Sequence, residues 1–268
     1  MTDFRTSTTL ALPPTSTHRI HEIDTPLIPS TQVIERLGTH PTITVPMVAG
    51  DEPDVDGIWR YLKEPADFFG MPTPGPEGLG AALVRFASIV TRGRDRALIA
   101  ATVTLLEIDA QPDFLVSGSI IQPICATAVS LAVSDAAAPV HRLTDPVWLR
   151  MAARTTSRGA IDQIQRWCDD GGYADVVPTA ASAGAPMLGA LVFDTASGLV
   201  GIENPEPTSI LDQLMRCGVV NRVRRVDERP EHADRACWIS PTFETHPVAS
   251  IGETTHRVDA APPFLEWR

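Results

Sequence analysis

The sequence predicts an α+β protein made of two units with mostly antiparallel strands. Three observations carry this. Strand-like runs recur through both halves of the chain, with few helical segments between them. Each half also holds two apolar patterns with the 3.6-residue spacing of helices that pack on a sheet. Between the halves, QPICA at 122–126 reads as a connector. The expected organisation is a flexible N-terminal arm over 1–24, a small α/β domain over 25–121, the connector over 122–126 and a larger α+β domain over 127–268.

Residues 1–24 are rich in Thr, Ser, Pro and His and read as a mobile arm or an edge extension. His18 and His21 form an HxxH pair there, but no third ligand stands nearby, and short motif matches are mostly accidental. PTITVPMVA at 41–49 alternates β-branched and small residues and predicts a strand. Asp51, Glu52, Asp54 and Asp56 follow as a solvated turn, since calcium loops need a different spacing and a central glycine. Helices are expected over 57–69 and 79–90, separated by MPTPGPEG, and strands over 97–106 and 114–121.

Past the connector, VSLAVSD at 129–135 reads as a strand. A helix over 157–168 places Ala160, Ile161, Ile164, Trp167 and Cys168 on one face, and Gly171 and Gly172 supply its stop. Strands at 188–194 and 198–202, joined by DTASG, follow one at 174–178. Pro207, Thr208 and Ser209 precede a short helix, ILDQLMRC, ended by Gly218. Strands at 219–226, 235–240 and 246–251 complete the pattern, which contains no internal repeat.

Composition limits the function classes. The 268 residues are 43% apolar, which is ample for a core. A net charge of -11 argues against a nucleic-acid partner or an anionic membrane surface, because both require a basic footprint. Cys125, Cys168, Cys217 and Cys237 form no CxxC pair and match no zinc spacing, so no metal is expected. No secretory signal is visible and no apolar run is long enough to span a bilayer, which makes the cytoplasm the expected location. One number stands out. Lysine and arginine total 22, yet only Lys63 is a lysine. A GC-rich genome accounts for such a bias in general.

Several segments occur in a telling order. WRYLKEPADFFGMPTP at 59–74 is similar to a signature in which a His-x-x-Arg-Leu helix precedes Ser-Ala and Gly-x-Pro, with Gly57 in the histidine place, Arg60 in the arginine place and Tyr61 in the leucine place. SIVTRG at 88–93 looks like the strand and turn that follow. RTTSR at 154–158 resembles Lys-Thr-Thr-Asn-Tyr, and the spacing onward to GGYADVV at 171–177 agrees. HADRACWISPTFETHPVASIG at 232–252 is similar to a late signature, which Ala233, Asp234, Glu244, Pro247 and Val248 fit directly. In register over roughly residues 28 to 252, the chain resembles the class IV (fold-type IV) pyridoxal-phosphate-dependent aminotransferases and aminodeoxychorismate lyases. The resemblance implies a D-amino acid aminotransferase-like fold, a cleft between two domains and a homodimer.

The resemblance also marks the positions at which the cofactor would be held. Arg154 stands in place of the Schiff-base lysine, and a guanidinium cannot form an imine. No lysine follows Lys63, which reads as a surface residue. The glutamate that would bond the pyridine nitrogen should fall near 184, where TAASAGAPM has no acid. The phosphate-binding Gly-Ile-Thr loop should precede the helix at 209–217 but is replaced by ENPEPTS. In that segment Pro205 and Pro207 offer no N–H, and Glu203 and Glu206 would repel a phosphate. Pro241 takes the place of a late threonine, flanked by Ser240 and Thr242, and only Arg60 matches the phosphate-binding arginine.

The expected cleft is therefore lined by Arg60, Arg154, Thr155, Thr156, Ser182, Ser240 and Thr242, with Glu244 and His246 beside them. Two arginines suit a small carboxylate metabolite through bidentate bonds, and no cofactor is expected. Arg154 can stabilise a developing oxyanion, while Glu244 or His246 can move a proton. Plainer roles stand beside these: Glu244 as a structural partner, His246 as an exposed or core residue, and Arg154 paired with an internal acid. Three functional readings follow, in order of preference. The first is a PLP-independent enzyme acting on a small carboxylate-bearing metabolite, such as a lyase or isomerase. The second is a non-catalytic pseudoenzyme that binds or regulates a partner protein. The third is residual non-covalent binding of pyridoxal phosphate.

Overall fold

The computed structural model describes residues 10–12, 39–92, 94, 96–108, 111–135, 144–157, 159–179, 184–204 and 208–258. The chain divides into two compact units. The first is Met1–Ile121 with Thr144–Arg158, and the second is Gln122–Leu143 with Gly159–Arg268. Thr144–Arg158 belongs to the first unit, although it lies in the second half of the sequence.

The first unit is built on an antiparallel sheet of β1 (Leu10–Leu12), β2 (Thr42–Val48), β3 (Leu98–Ile108) and β4 (Gln111–Ile120), in the order β1-β4-β3-β2. β1 pairs along the edge of β4, which gives part of the N-terminal arm a fixed place. Alternation along the strands sends Ile43, Val45, Met47, Ala101, Val103 and Val116 into one core. On the other face, Thr42 meets Thr104 and Thr44 meets Thr102, each pair with hydroxyls 2.9 Å apart.

Helices α1 (Val55–Phe68) and α2 (Pro76–Thr91) cover the core with Ile58, Leu62, Leu79, Leu83 and Phe86. One residue of the acidic turn has a definite structural role, since Asp54 caps α1 by accepting from the Gly57 amide at 3.0 Å. Pro76 opens α2 as its first residue, where a missing N–H costs nothing. A short helix that the sequence patterns do not reveal, α3 (Val147–Ala152), packs against α1.

The second unit is an eight-stranded mixed sheet. Its strands are β5 (Val129–Ser134), β6 (Asp175–Pro178), β7 (Ala190–Thr195), β8 (Gly198–Glu203), β9 (Arg224–Arg225), β10 (Arg235–Ile239), β11 (Thr245–Ile251) and β12 (Thr254–Thr255). The order is β6-β5-β11-β10-β7-β8-β9, with β12 on β11. Helix α4 (Gly159–Gly171) packs on β6, and α5 (Ile210–Arg216) packs on β8. Leu131, Leu191, Phe193, Val200, Trp238 and Val248 form the main core.

Two expectations need correction. The strand expected over 219–226 shrinks to Arg224–Arg225, because Val219, Val220 and Val223 are buried from an irregular segment rather than by alternation. The apolar face of α4 is covered only in part: Cys168 is buried and Ile161 and Ile164 are half-buried, while Ala160 and Trp167 are exposed and Trp167 lies beside Tyr173.

Candidate functional site

In the first unit, a short strap after α3 is tied to the start of β2. The Thr42 amide donates to the Arg154 carbonyl at 2.9 Å, and the Thr156 amide to the His40 carbonyl at 2.8 Å. The His40 amide in turn donates to the Thr156 hydroxyl at 3.1 Å. Thr155 is fully buried, and its hydroxyl closes a local turn by donating to the Ala152 carbonyl at 2.7 Å. These hydroxyls hold the strap in place.

Arg154 fastens the strap to α1. Nη1 forms an ion pair with Glu64, and Nη2 donates to the Tyr61 carbonyl. The guanidinium carbon lies 3.9 Å from the centroid of the Tyr61 ring. The Arg154 side chain is 12% exposed, whereas Glu64 is 63% exposed, so the tie runs from a buried cation to a solvated acid. Arg60 serves its own helix instead: it is exposed, and Nε donates to the Asp56 carbonyl at 3.1 Å. Lys63 pairs with Asp67 one turn along α1, as a surface lysine does.

In the second unit, the turn between β10 and β11 gathers Ser240, Thr242, Glu244 and His246. Ser240 is buried, and its Oγ accepts from the amides of Thr242 (3.2 Å) and Glu244 (3.1 Å). Thr242 shares a 3.0 Å hydroxyl contact with Ser240 and donates to Glu244 at 3.3 Å. Phe243 adopts φ 68°, an uncommon conformation for a residue with a Cβ, while its ring is buried. His246 Nδ1 lies 3.2 Å from the Thr127 carbonyl, and its ring stands 5.8 Å from that of Trp238. The Nδ1–H donates in that contact, which leaves Nε2 as the basic nitrogen. Ser182 lies outside the described residues.

Two buried carboxylates organise this unit, and sequence patterns foresee neither role. Asp175 is fully buried on β6. Its oxygens accept from the amides of Val176, Met187, Leu188 and Gly189 and from Trp238 Nε1, at 2.7 to 3.2 Å. Burial pushes its carboxyl up to about 6 although these donors pull the other way. Asp175 thereby fixes 187–189, close to the place where the resemblance puts a cofactor-binding glutamate.

Glu203, at the end of β8, is 4% exposed. Oε1 accepts from the Ser209 hydroxyl at 2.6 Å and from Arg225 Nη2 at 2.6 Å, and Oε2 accepts from the Leu211 amide at 3.1 Å. The Ile210 amide adds a further bond. Burial raises this carboxyl, while Ser209, the amides and the Arg225 charge lower it. The sequence predicts that Glu203 repels a phosphate. The geometry goes further, because the carboxyl itself takes the hydroxyl, the amides and the cation at the start of α5.

The Arg154 guanidinium, at the position the resemblance marks for a lysine, is engaged by Glu64 and Tyr61, and the Ser209 hydroxyl and Leu211 amide at the start of α5 are satisfied by Glu203. No group of His, Cys, Asp or Glu among the described residues has the arrangement of a metal site. No helix among the described residues is long and apolar enough to cross a membrane.

No family model matches the sequence, and no curated protein matches it. Solved structures do match in shape. A fold IV transaminase from Curtobacterium pusillum is 13% identical, covers 95% of this chain and 93% of its own, and has a TM-score of 0.65. A hypothetical aminotransferase from Mycobacterium tuberculosis in its PLP-bound form is 15% identical, covers 94% of each chain and has a TM-score of 0.64. An aminotransferase from Brucella abortus bound to PLP is 13% identical over 94% of each chain, with a TM-score of 0.59. At these identities the likeness is one of fold: the chain has the two-domain α+β fold of the class IV aminotransferases.

Proposed function

We propose that this chain keeps the class IV fold without pyridoxal phosphate and without Schiff-base chemistry, as a non-catalytic protein that binds or regulates a partner. The observation that carries this reading is Glu203: a built-in carboxyl satisfies the donors at the start of α5. Arg154 supports it. A cation poised to stabilise substrate charge needs donors to spare, and two of its three nitrogens are spent on Glu64 and Tyr61. The hydroxyls of Thr155 and Ser240 likewise serve local turns. The homodimer implied by the resemblance belongs to the same proposal.

A second reading rests on His246. His246 has Nδ1 held by the Thr127 carbonyl, and this reading assigns His246 and Glu244, two residues before it in the chain, as acid and base without a cofactor. That arrangement suits an enzyme acting on a small carboxylate.

The test has two parts. Equilibrium dialysis of the purified chain against pyridoxal phosphate should show no saturable binding; one cofactor bound per chain would overturn the proposal. Native mass spectrometry of protein from its own host then separates the two readings. A protein partner supports the first, and a retained carboxylate metabolite supports the second.

A further inference from the structure

Helix α4 ends in a glycine stop that brings two aromatic rings together on the surface of the second unit. Gly172 takes φ 73°, the Tyr173 amide donates to the Cys168 carbonyl at 2.8 Å, and the Gly172 amide donates to the Asp169 carbonyl at 3.1 Å. That pattern turns the chain back along the helix and sets Tyr173 against its last turn. The Trp167 and Tyr173 rings lie nearly parallel, with 16° between their planes and centroids 6.4 Å apart. Gly171 keeps the way clear, since a Cβ there would come within 2.8 Å of the Tyr173 ring.

The contact closes the helix end without burying the rings: Trp167 is 51% exposed and Tyr173 is 38% exposed. Open Trp and Tyr side chains held in one geometry are the residue types that anchor protein interfaces. Asp170 lies three residues beyond Trp167 on the same side of the helix, exposed and with no ion-pair partner among the described residues. Asp169 is exposed beside it and accepts from Gln165 at 2.9 Å. The one arginine of α4, Arg166, leaves the helix about 100° around from Trp167. An open aromatic face next to an unpaired carboxylate attracts a cation, through the ring quadrupole and the charge together. A second copy docked face to face would instead set Asp169 and Asp170 against their own kind, and each chain carries a net charge of -11.

We propose that Trp167, Tyr173 and Asp170 form the docking point for a cationic segment of a partner protein. An arginine or lysine side chain lies on the open rings with its charge toward Asp170. The surface belongs wholly to the second unit, and it rests on the reading of this chain as a protein that binds a partner.

Fluorescence anisotropy of a labelled hexa-arginine peptide with the intact chain tests this, beside the neutral hexa-citrulline peptide at matched ionic strength. Saturable binding of the arginine peptide alone is expected. Trp167→Ala and Asp170→Asn should each weaken it about two- to fivefold, the range for an exposed cation–π contact or ion pair. Asp51→Asn removes the same charge from an exposed turn of the first unit and should leave the affinity native. No saturable binding overturns the proposal, as does native affinity in either variant or equal binding of the citrulline peptide. Equal weakening by Asp51→Asn also overturns it, since attraction to net charge alone would then suffice. If Trp167→Ala does not fold, Asp170→Asn carries the test. A dimer that dissociates in Trp167→Ala, followed by sedimentation, gives the face to a second copy and likewise overturns the proposal. Failure of the underlying reading looks different. A partner complex that survives both variants in native mass spectrometry overturns this surface and leaves the partner reading standing, whereas a retained carboxylate metabolite without a partner overturns both.

Discussion

Asp175→Asn replaces one carboxyl oxygen by an amide nitrogen at a fully buried acid of the second unit. The native carboxyl is held at about 6 against an ordinary value of 3.8, mainly because burial penalises its charged form. That difference corresponds to roughly 3 kcal/mol between the two protonation states. The folded chain therefore holds this proton more tightly than the unfolded chain does. The stabilisation is fully present below about 4 and is lost as pH rises through about 6. Asparagine removes the titration but also replaces one acceptor with an amide donor. Two or three of the N–H groups from Val176, Met187, Leu188, Gly189 and Trp238 would then face that donor. Unsatisfied buried donors cost about 1–3 kcal/mol each and do not add fully, so a net loss of about 2–4 kcal/mol is expected at neutral pH. Urea unfolding of both proteins across the range from about 4 to about 7 measures both effects. The variant should be less stable, and its stability should fall less steeply as pH rises. An unchanged pH slope would refute the assignment of the proton to Asp175. Native stability at neutral pH would refute the donor count.

Three further outcomes follow from the same reasoning. Glu203→Ala leaves the Ser209 hydroxyl and the Leu211 amide without their acceptor while Arg225, 40% exposed, keeps Asp212, so urea melts should show a loss of about 1–3 kcal/mol. Arg154→Ala should cost about 1–3 kcal/mol, mostly from lost packing on Tyr61 and the orphaned Tyr61 carbonyl, since an ion pair with so exposed an acid contributes little. High salt should recover little of that loss. Gly189→Ala places a Cβ 2.4 Å from both the Ile239 carbonyl oxygen and Trp238 Nε1, so it should destabilise the fold and shift the tryptophan fluorescence of the native state.

Much of the secondary structure is legible in the chain because its signals are local. Alternation at 42–48 and the Ser209 cap of α5 are read within a few residues of where they act, whereas α2 begins at Pro76, inside the segment read as a break before 79. The exceptions are equally physical. Helix α3 is too short to show a period, and 219–226 buries Val219, Val220 and Val223 although only Arg224–Arg225 forms a strand. Arg154 is conspicuous in the sequence as the residue standing where a lysine is expected. Its partners are not, since Glu64 lies 90 positions away. Glu203 stands out as an acid in an odd place, but whether it repels an anion or replaces one depends on where its side chain points.

By itself, then, the sequence determined the α+β pattern and a chemical limit: with no lysine after Lys63, the second half of the chain cannot supply an imine-forming amine. Only the tertiary structure decided what the remaining polar residues do. Asp175 meets Trp238 across 63 positions, Arg225 reaches Glu203 across 22, and the strap at 154–156 returns to the first unit. Buried charges must find partners or lose their charge, and those partners come from whichever elements the fold brings alongside. The buried carboxyls of Asp175 and Glu203 are turned inward to hold the second unit together, and Glu64 reaches from α1 to hold Arg154.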